Sequence, residues 1–188
     1  AMGFGSYLLN KELAYDSREA RSLIYKMTHN IKLNAVIASE RLASERGEPN
    51  DMKGTGLRNS HLLAIAPTAT NSTIMGERLE GVEDVGGLPP ALEASYEMVY
   101  TQKTKSGRFK VTVPKLVKVL QAHGQYNEEV IGSIFDNKGS VQHLDFLSDN
   151  ERSYLRTARE YDQRHIVEVA AIAQEHVCQA ISLNLDFH

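Results

Sequence analysis

Hydroxyl side chains crowd into one short run, PTATNST at 67–73, where Thr68, Thr70, Ser72 and Thr73 alternate with small residues. Before it stands LLAIA at 62–66, an apolar stretch whose length suits a buried strand better than a helix. A strand that turns through small residues into a helix leaves the first backbone N–H groups of that helix unpaired. The helix dipole at that end favours an anion. Small side chains let a phosphate approach, and the hydroxyls add donors. The same residues also suit an ordinary hydroxyl-rich helix start with no ligand, because Ser and Thr are common caps. Both readings stand on the local residues alone.

A second constellation is basic. Lys103, Lys105, Arg108, Lys110, Lys115 and Lys118 follow one another with no acid between them, and Tyr100 and Phe109 interleave. A nucleic-acid-binding ribbon is one use of such a pattern. A solvated hairpin whose lysines block edge pairing is the other, and the acidic balance of the chain favours it. The histidines are scattered. His165 and His176 stand three helical turns apart, too far to hold one ion, and Asp145, Asp149 and Asp162 have no ligand spacing. These side chains read as surface residues. Cys178, the only cysteine, sits near the end of an apolar helix face and reads as a buried, inert thiol. One thiol makes no internal disulfide, no Cys-based zinc site and no dithiol pair.

The elements that must position these residues can be read from spacing. Residues 1–15 carry a short apolar patch, Phe4, Tyr7, Leu8 and Leu9. Asp16 followed by Glu19 predicts a capping box opening a helix over 17–46. Its inward face is Ala20, Leu23, Ile24, Met27, Ile31, Ala35, Ala38 and Leu42, and Gly47 stops it. Residues 47–60 are a polar loop, and 76–97 an acidic, irregular one. A hairpin is predicted with strands at 97–104 and 108–113 and a turn at Ser106–Gly107. Helices follow over 114–123 and 127–136, with a break at Gly124. Ser148 and Glu151 form another capping pattern. The last helix covers 161–179 with Ile166, Val169, Ala170, Ala173 and Val177 inward, and 181–187 alternates as a terminal strand.

The chain has 188 residues, 41% hydrophobic and 24% charged, with 13 Gly and 5 Pro, which fits one globular domain and excludes disorder or a collagen-like repeat. A net charge of −3 supplies no field for nucleic acid or an anionic membrane. No apolar run approaches the roughly 18 residues that span a bilayer, and the first residues carry no signal-peptide pattern. These features predict a cytoplasmic, soluble, single domain over 1–188. Its fold class is α/β and helix-rich, with a projecting hairpin.

Taken together, the motifs resemble those of the large catalytic subunit of class I ribonucleotide reductase. GFGSYL at 3–8, GLRNSHLLAIAPTATNSTIMG at 56–76, YTQKTKSGRF at 100–109 with VTVPKLVKVL after it, GSVQHLDFLSD at 139–149 and QAISLNLDF at 179–187 occur in the order of that family's C-terminal part. The resemblance implies the last part of a ten-stranded α/β barrel. It also implies that Thr68, Ala69, Thr70, Asn71 and Ser72 bind the phosphates of a ribonucleoside diphosphate through amides and hydroxyls. In place of the family's short SIEP-type segment stands a longer acidic stretch over 77–97, with only Gly81, Val82 and Glu83 similar to it. The family's chemistry needs a thiyl-radical cysteine with an Asn and a Glu beside it, and a redox pair of two more cysteines. This chain has one cysteine, Cys178, at a non-catalytic position, and lacks the paired tyrosines that receive the radical. The resemblance therefore implies a piece that is inactive alone and binds no cofactor itself. The full enzyme depends on a radical-generating small subunit and a thiol reductant. The expected partners are the N-terminal remainder of the large subunit and a ribonucleoside diphosphate, with self-association through exposed barrel edges and no membrane or nucleic acid. A stand-alone nucleotide- or phosphate-binding module that interacts with a reductase is the alternative.

Overall fold

The computed structural model describes residues 3–76, 79–80, 82, 85–104 and 107–186. The apolar patch near the N-terminus forms helix α1 (Phe4–Asn10), which has two jobs. Phe4 and Leu8 enter one core cluster, with Tyr15, Ile24, Leu92, Ile166 and Val169. Leu9 enters a second, with Met98, Leu116, Leu120, Ile134 and Leu155.

Helix α2 (Arg18–Arg46) matches its predicted span and ends at Gly47, whose φ of 74° lies in the left-handed region that glycine tolerates. Its cap differs from the expected one. Ser17, not Asp16, accepts from the Ala20 amide at 3.0 Å. Asp16 is instead gripped by Arg156 Nη2 through both carboxylate oxygens, at 2.7 and 2.9 Å. A two-oxygen, charge-assisted contact holds a carboxylate better than one backbone amide. The inward face also differs. Ala20, Ile24, Thr28, Ser39 and Ala43 are buried, and α7 covers that side. Met27 and Ile31, expected inside, are exposed together with Tyr25, Leu33 and Ile37.

The predicted strand at 62–66 forms no ladder, and only Ile65 is buried there. Its backbone meets the turn after the last helix: the Cys178 amide donates to the Leu63 carbonyl at 3.0 Å. A strand exists only where a second strand lies beside it, and none does among the described residues. The chain then enters the short helix α3 (Ala69–Ile74).

Strands β1 (Val99–Thr104) and β2 (Gly107–Thr112) pair antiparallel as predicted, with Tyr100 opposite Val111 and Lys103 opposite Arg108. The predicted turn residue Ser106 lies outside the described residues. Helices α4 (Pro114–Ala122) and α5 (Glu128–Asp136) close the second core over the hairpin. Helix α6 (Asp149–Tyr154) opens with the predicted capping box of Ser148 and Glu151.

Helix α7 (Gln163–Gln174) buries Ile166, Val169, Ala170 and Ala173 but stops short of 179. Gln174 explains the stop. Its side chain donates to the carbonyls of Val177 and Gln179 and accepts from the Ile181 amide, replacing the bonds of a continuing helix. The predicted terminal strand at 181–187 is likewise absent from the described residues, and Phe187 lies outside them. Side chains hold this segment instead: Arg159 Nε donates to Asp186 at 2.8 Å, and the Asp186 amide to Gln163 at 3.0 Å.

Candidate phosphate-binding site

The hydroxyl-rich run occupies the start of α3. Thr68 is its N-cap in a left-handed conformation, φ 49° and ψ 23°, and the Ser72 amide donates back to the Thr68 carbonyl at 2.9 Å. Thr70 and Asn71 are exposed, whereas Ser72 is buried. Thr68, Ala69, Thr70, Asn71 and Ser72 thus occupy one turn, with Thr70 and Asn71 outward. The first-turn amides of such a helix have no intrahelical acceptor and can point at an anion.

The acidic irregular stretch forms the back of this turn. The Leu88 amide donates to the carbonyls of Ser72 and Met75, at 2.9 and 2.8 Å. The Ala91 amide donates to the Thr68 hydroxyl at 2.9 Å. Ala91, Leu92 and Ala94 are buried, so this part of the stretch is core rather than a solvated loop. Gly81 and Glu83 lie outside the described residues.

Glu93 is also buried, a site that sequence reasoning passed over. Its Oε1 accepts from Asn184 Nδ2 at 2.8 Å, while Oε2 has no partner. Tyr96 lies close by: burial first, and then the Glu93 carboxylate, push its hydroxyl up to about 12. Burial and then Glu93 also raise Tyr15. The only sequence signal for this cluster was an acid among apolar residues, LPPALEA. Beside it a cavity of about 380 Å³ is bordered by Ser72, Ser95, Tyr96 and Tyr100, and the Ser95 hydroxyl is buried without a partner.

The hairpin separates its cations from its rings among the described residues. Its register puts Lys103, Arg108 and Lys110 on one face and Tyr100 and Phe109 on the other, so cations and stacking rings point apart. Lys110 lies over the Phe135 ring at 4.7 Å, and Lys115 pairs with Glu12 at 2.9 Å. Lys105 lies outside the described residues.

Cys178 is exposed, not buried, because α7 ends before it. The Leu62 amide donates to its sulfur at 3.3 Å, and this contact, then Leu63 and Lys32, draws the thiol below its ordinary range. His176, expected at the surface, is buried against Tyr25 and His29. Among the described residues no three His, Cys, Asp or Glu side chains gather as metal ligands, and no helix is long and apolar enough to cross a membrane.

Fold and motifs together define a reductase barrel piece. The model of the ribonucleotide reductase barrel domain matches residues 1–55 and 49–187, and the chain belongs to that family. A protein of Frog virus 3 (isolate Goorha) named as a ribonucleoside-diphosphate reductase large subunit is 40% identical over 187 residues, covering 100% of this chain and 31% of its own length. The ribonucleoside-diphosphate reductase large subunit of Invertebrate iridescent virus 6 is 34% identical, covering 98% of this chain and 19% of its own. The solved class Id ribonucleotide reductase alpha subunit of Actinobacillus ureae superposes with a TM-score of 0.80 at 32% identity, over 94% of this chain and 30% of that one. The helix-rich partial-barrel fold is therefore the reductase fold. The chain spans about a third or less of the length of these relatives.

Proposed function

We propose that this chain works as part of a ribonucleoside-diphosphate reductase large subunit and supplies the turn that holds the substrate's diphosphate. Thr68 to Asn71 donate from backbone amides and hydroxyls, Ser72 from its hydroxyl, and the exposed positions Thr70 and Asn71 meet the ligand first. The match to the barrel domain along essentially the whole chain supports this reading most strongly. With Cys178 as its single thiol, the chain reduces no ribonucleotide by itself. The radical cysteine and the redox pair come from the rest of the large subunit, the radical from a small subunit, and electrons from a thiol reductant. The exposed apolar side chains of α2 favour a piece of a larger assembly over a self-contained binding module.

The test is an amide-shift titration of the chain with pyrophosphate. A few charge-assisted hydrogen bonds without base or ribose contacts give millimolar affinity, about −4 kcal/mol. Shifts concentrate on residues 68–72, and Thr70→Pro abolishes them by removing a donor. Shifts on the hairpin instead would overturn the assignment.

A further inference from the structure

The 68–72 turn is held from behind by a stretch that is itself held from the C-terminal segment. Two backbone amides of that stretch reach the turn: Leu88 to the Ser72 carbonyl and Ala91 to the Thr68 hydroxyl, each at 2.9 Å. Thr68 and Ala91 both adopt positive φ, 49° and 43°. A β-branched residue is strained there and persists only where its surroundings fix it. The fixing point is Glu93. It is buried two residues beyond Ala91, and no cation pairs with it among the described residues. Its Oε1 accepts from the side-chain amide of Asn184 at 2.8 Å.

We propose that Asn184 is a positioning residue for the phosphate turn: through Glu93 it holds the 88–91 backbone, and that backbone holds Thr68 and Ser72. The inference rests on the phosphate-binding reading of the turn. Without the Asn184 amide, the buried carboxylate loses its bond at Oε1, and Oε2 is already unpartnered. An under-satisfied buried carboxylate moves toward water, and that movement shifts the 88–91 backbone. Arg159 strengthens the same strap, pairing with Asp186 at 2.8 Å and with Glu97 at 3.4 Å. Asn184 itself is exposed on its outer side, so its replacement opens no core cavity.

The experiment compares Asn184→Ala with Ser148→Ala, which removes a helix cap far from the turn. In the free protein, Asn184→Ala displaces the amide resonances of residues 68–72, and its pyrophosphate affinity falls at least fivefold. Ser148→Ala lowers the thermal midpoint but leaves those resonances in place and the affinity within twofold. Asn184→Gln, which keeps the amide donor one methylene further out, restores part of the affinity and serves if the alanine variant fails to fold. Unmoved 68–72 resonances in Asn184→Ala, or an equal loss in Ser148→Ala, would overturn the proposal. If the unsubstituted chain shows no pyrophosphate shifts at 68–72, the phosphate reading fails. The positioning role is then still read from the free-protein resonances.

Discussion

The Ala91 amide donates to the Thr68 hydroxyl at 2.9 Å, and both residues lie in the left-handed region of backbone space. Two conformations that L-residues avoid are thus tied to one another across 23 residues of chain. The tie seats the first turn of α3 on the core stretch around Leu92.

That bond predicts a contrast between two substitutions. Thr68→Val keeps the shape but removes the acceptor, leaving the Ala91 amide unpaired at a cost of about 1–3 kcal/mol. Thr68→Ser keeps the acceptor and sheds the β-branch, so its stability stays within about 0.5 kcal/mol of the parent. Urea unfolding of both variants checks the pair; equal losses would remove the role given to the bond.

Gly5 on α1 is buried against the backbone of Glu93 and Ala94, and a Cβ built there would overlap the Glu93 carbonyl oxygen. Neither partner is a flexible side-chain end. Gly5→Ala should cost about 1–3 kcal/mol by overpacking, although alanine is the better helix former. A denaturation midpoint at or above the parent's would refute the close approach.

The Glu151 carboxylate predicts an acid-sensitive contribution. Burial alone would raise it, but the Ser148 hydroxyl, the His123 ring and the Ser148 amide outweigh burial and hold it at about 2, against 4.5 when unfolded. A group lowered in the folded state adds stability above its unfolded value and loses it as pH falls through its folded value. Glu151→Gln is therefore less stable than the parent at neutral pH, and the gap closes between pH 4.5 and about 2. Thermal midpoints against pH for both proteins measure it, and a gap independent of pH would count against the bond network.

Tyr25, Ile31, Leu33 and Ile37 leave α2 between 45% and 54% exposed at each of these side chains. Exposed apolar area of this kind drives association, so the isolated chain should self-associate as concentration rises. Leu33→Lys with Ile37→Lys should shift it toward monomer without lowering its thermal midpoint. Sedimentation velocity over a hundredfold concentration range decides, and a parent that stays monomeric throughout refutes it.

Local pattern by itself determined the spans of α2, α4 and α5 and the hairpin. The 3.6-residue period and its stop signals placed α2, α4 and α5 nearly to the residue, because caps such as Ser148 with Glu151 and Gly47 act within a single turn. Motif order determined the family. Tertiary structure decided the rest. The 62–66 and 181–187 runs have strand-like composition, but a strand needs a neighbour to bond to, and that neighbour is a property of the assembly rather than of the segment. Which side of α2 is buried was set by α7, which packs on the side of Ile24 and Thr28 while Met27 and Ile31 face outward. Asp16 could have capped α2 until Arg156, 140 residues away, claimed its carboxylate. The support behind the candidate site was equally hidden. Asn184 and Glu93 lie 91 residues apart, and a contact made by folding leaves no mark in either local pattern.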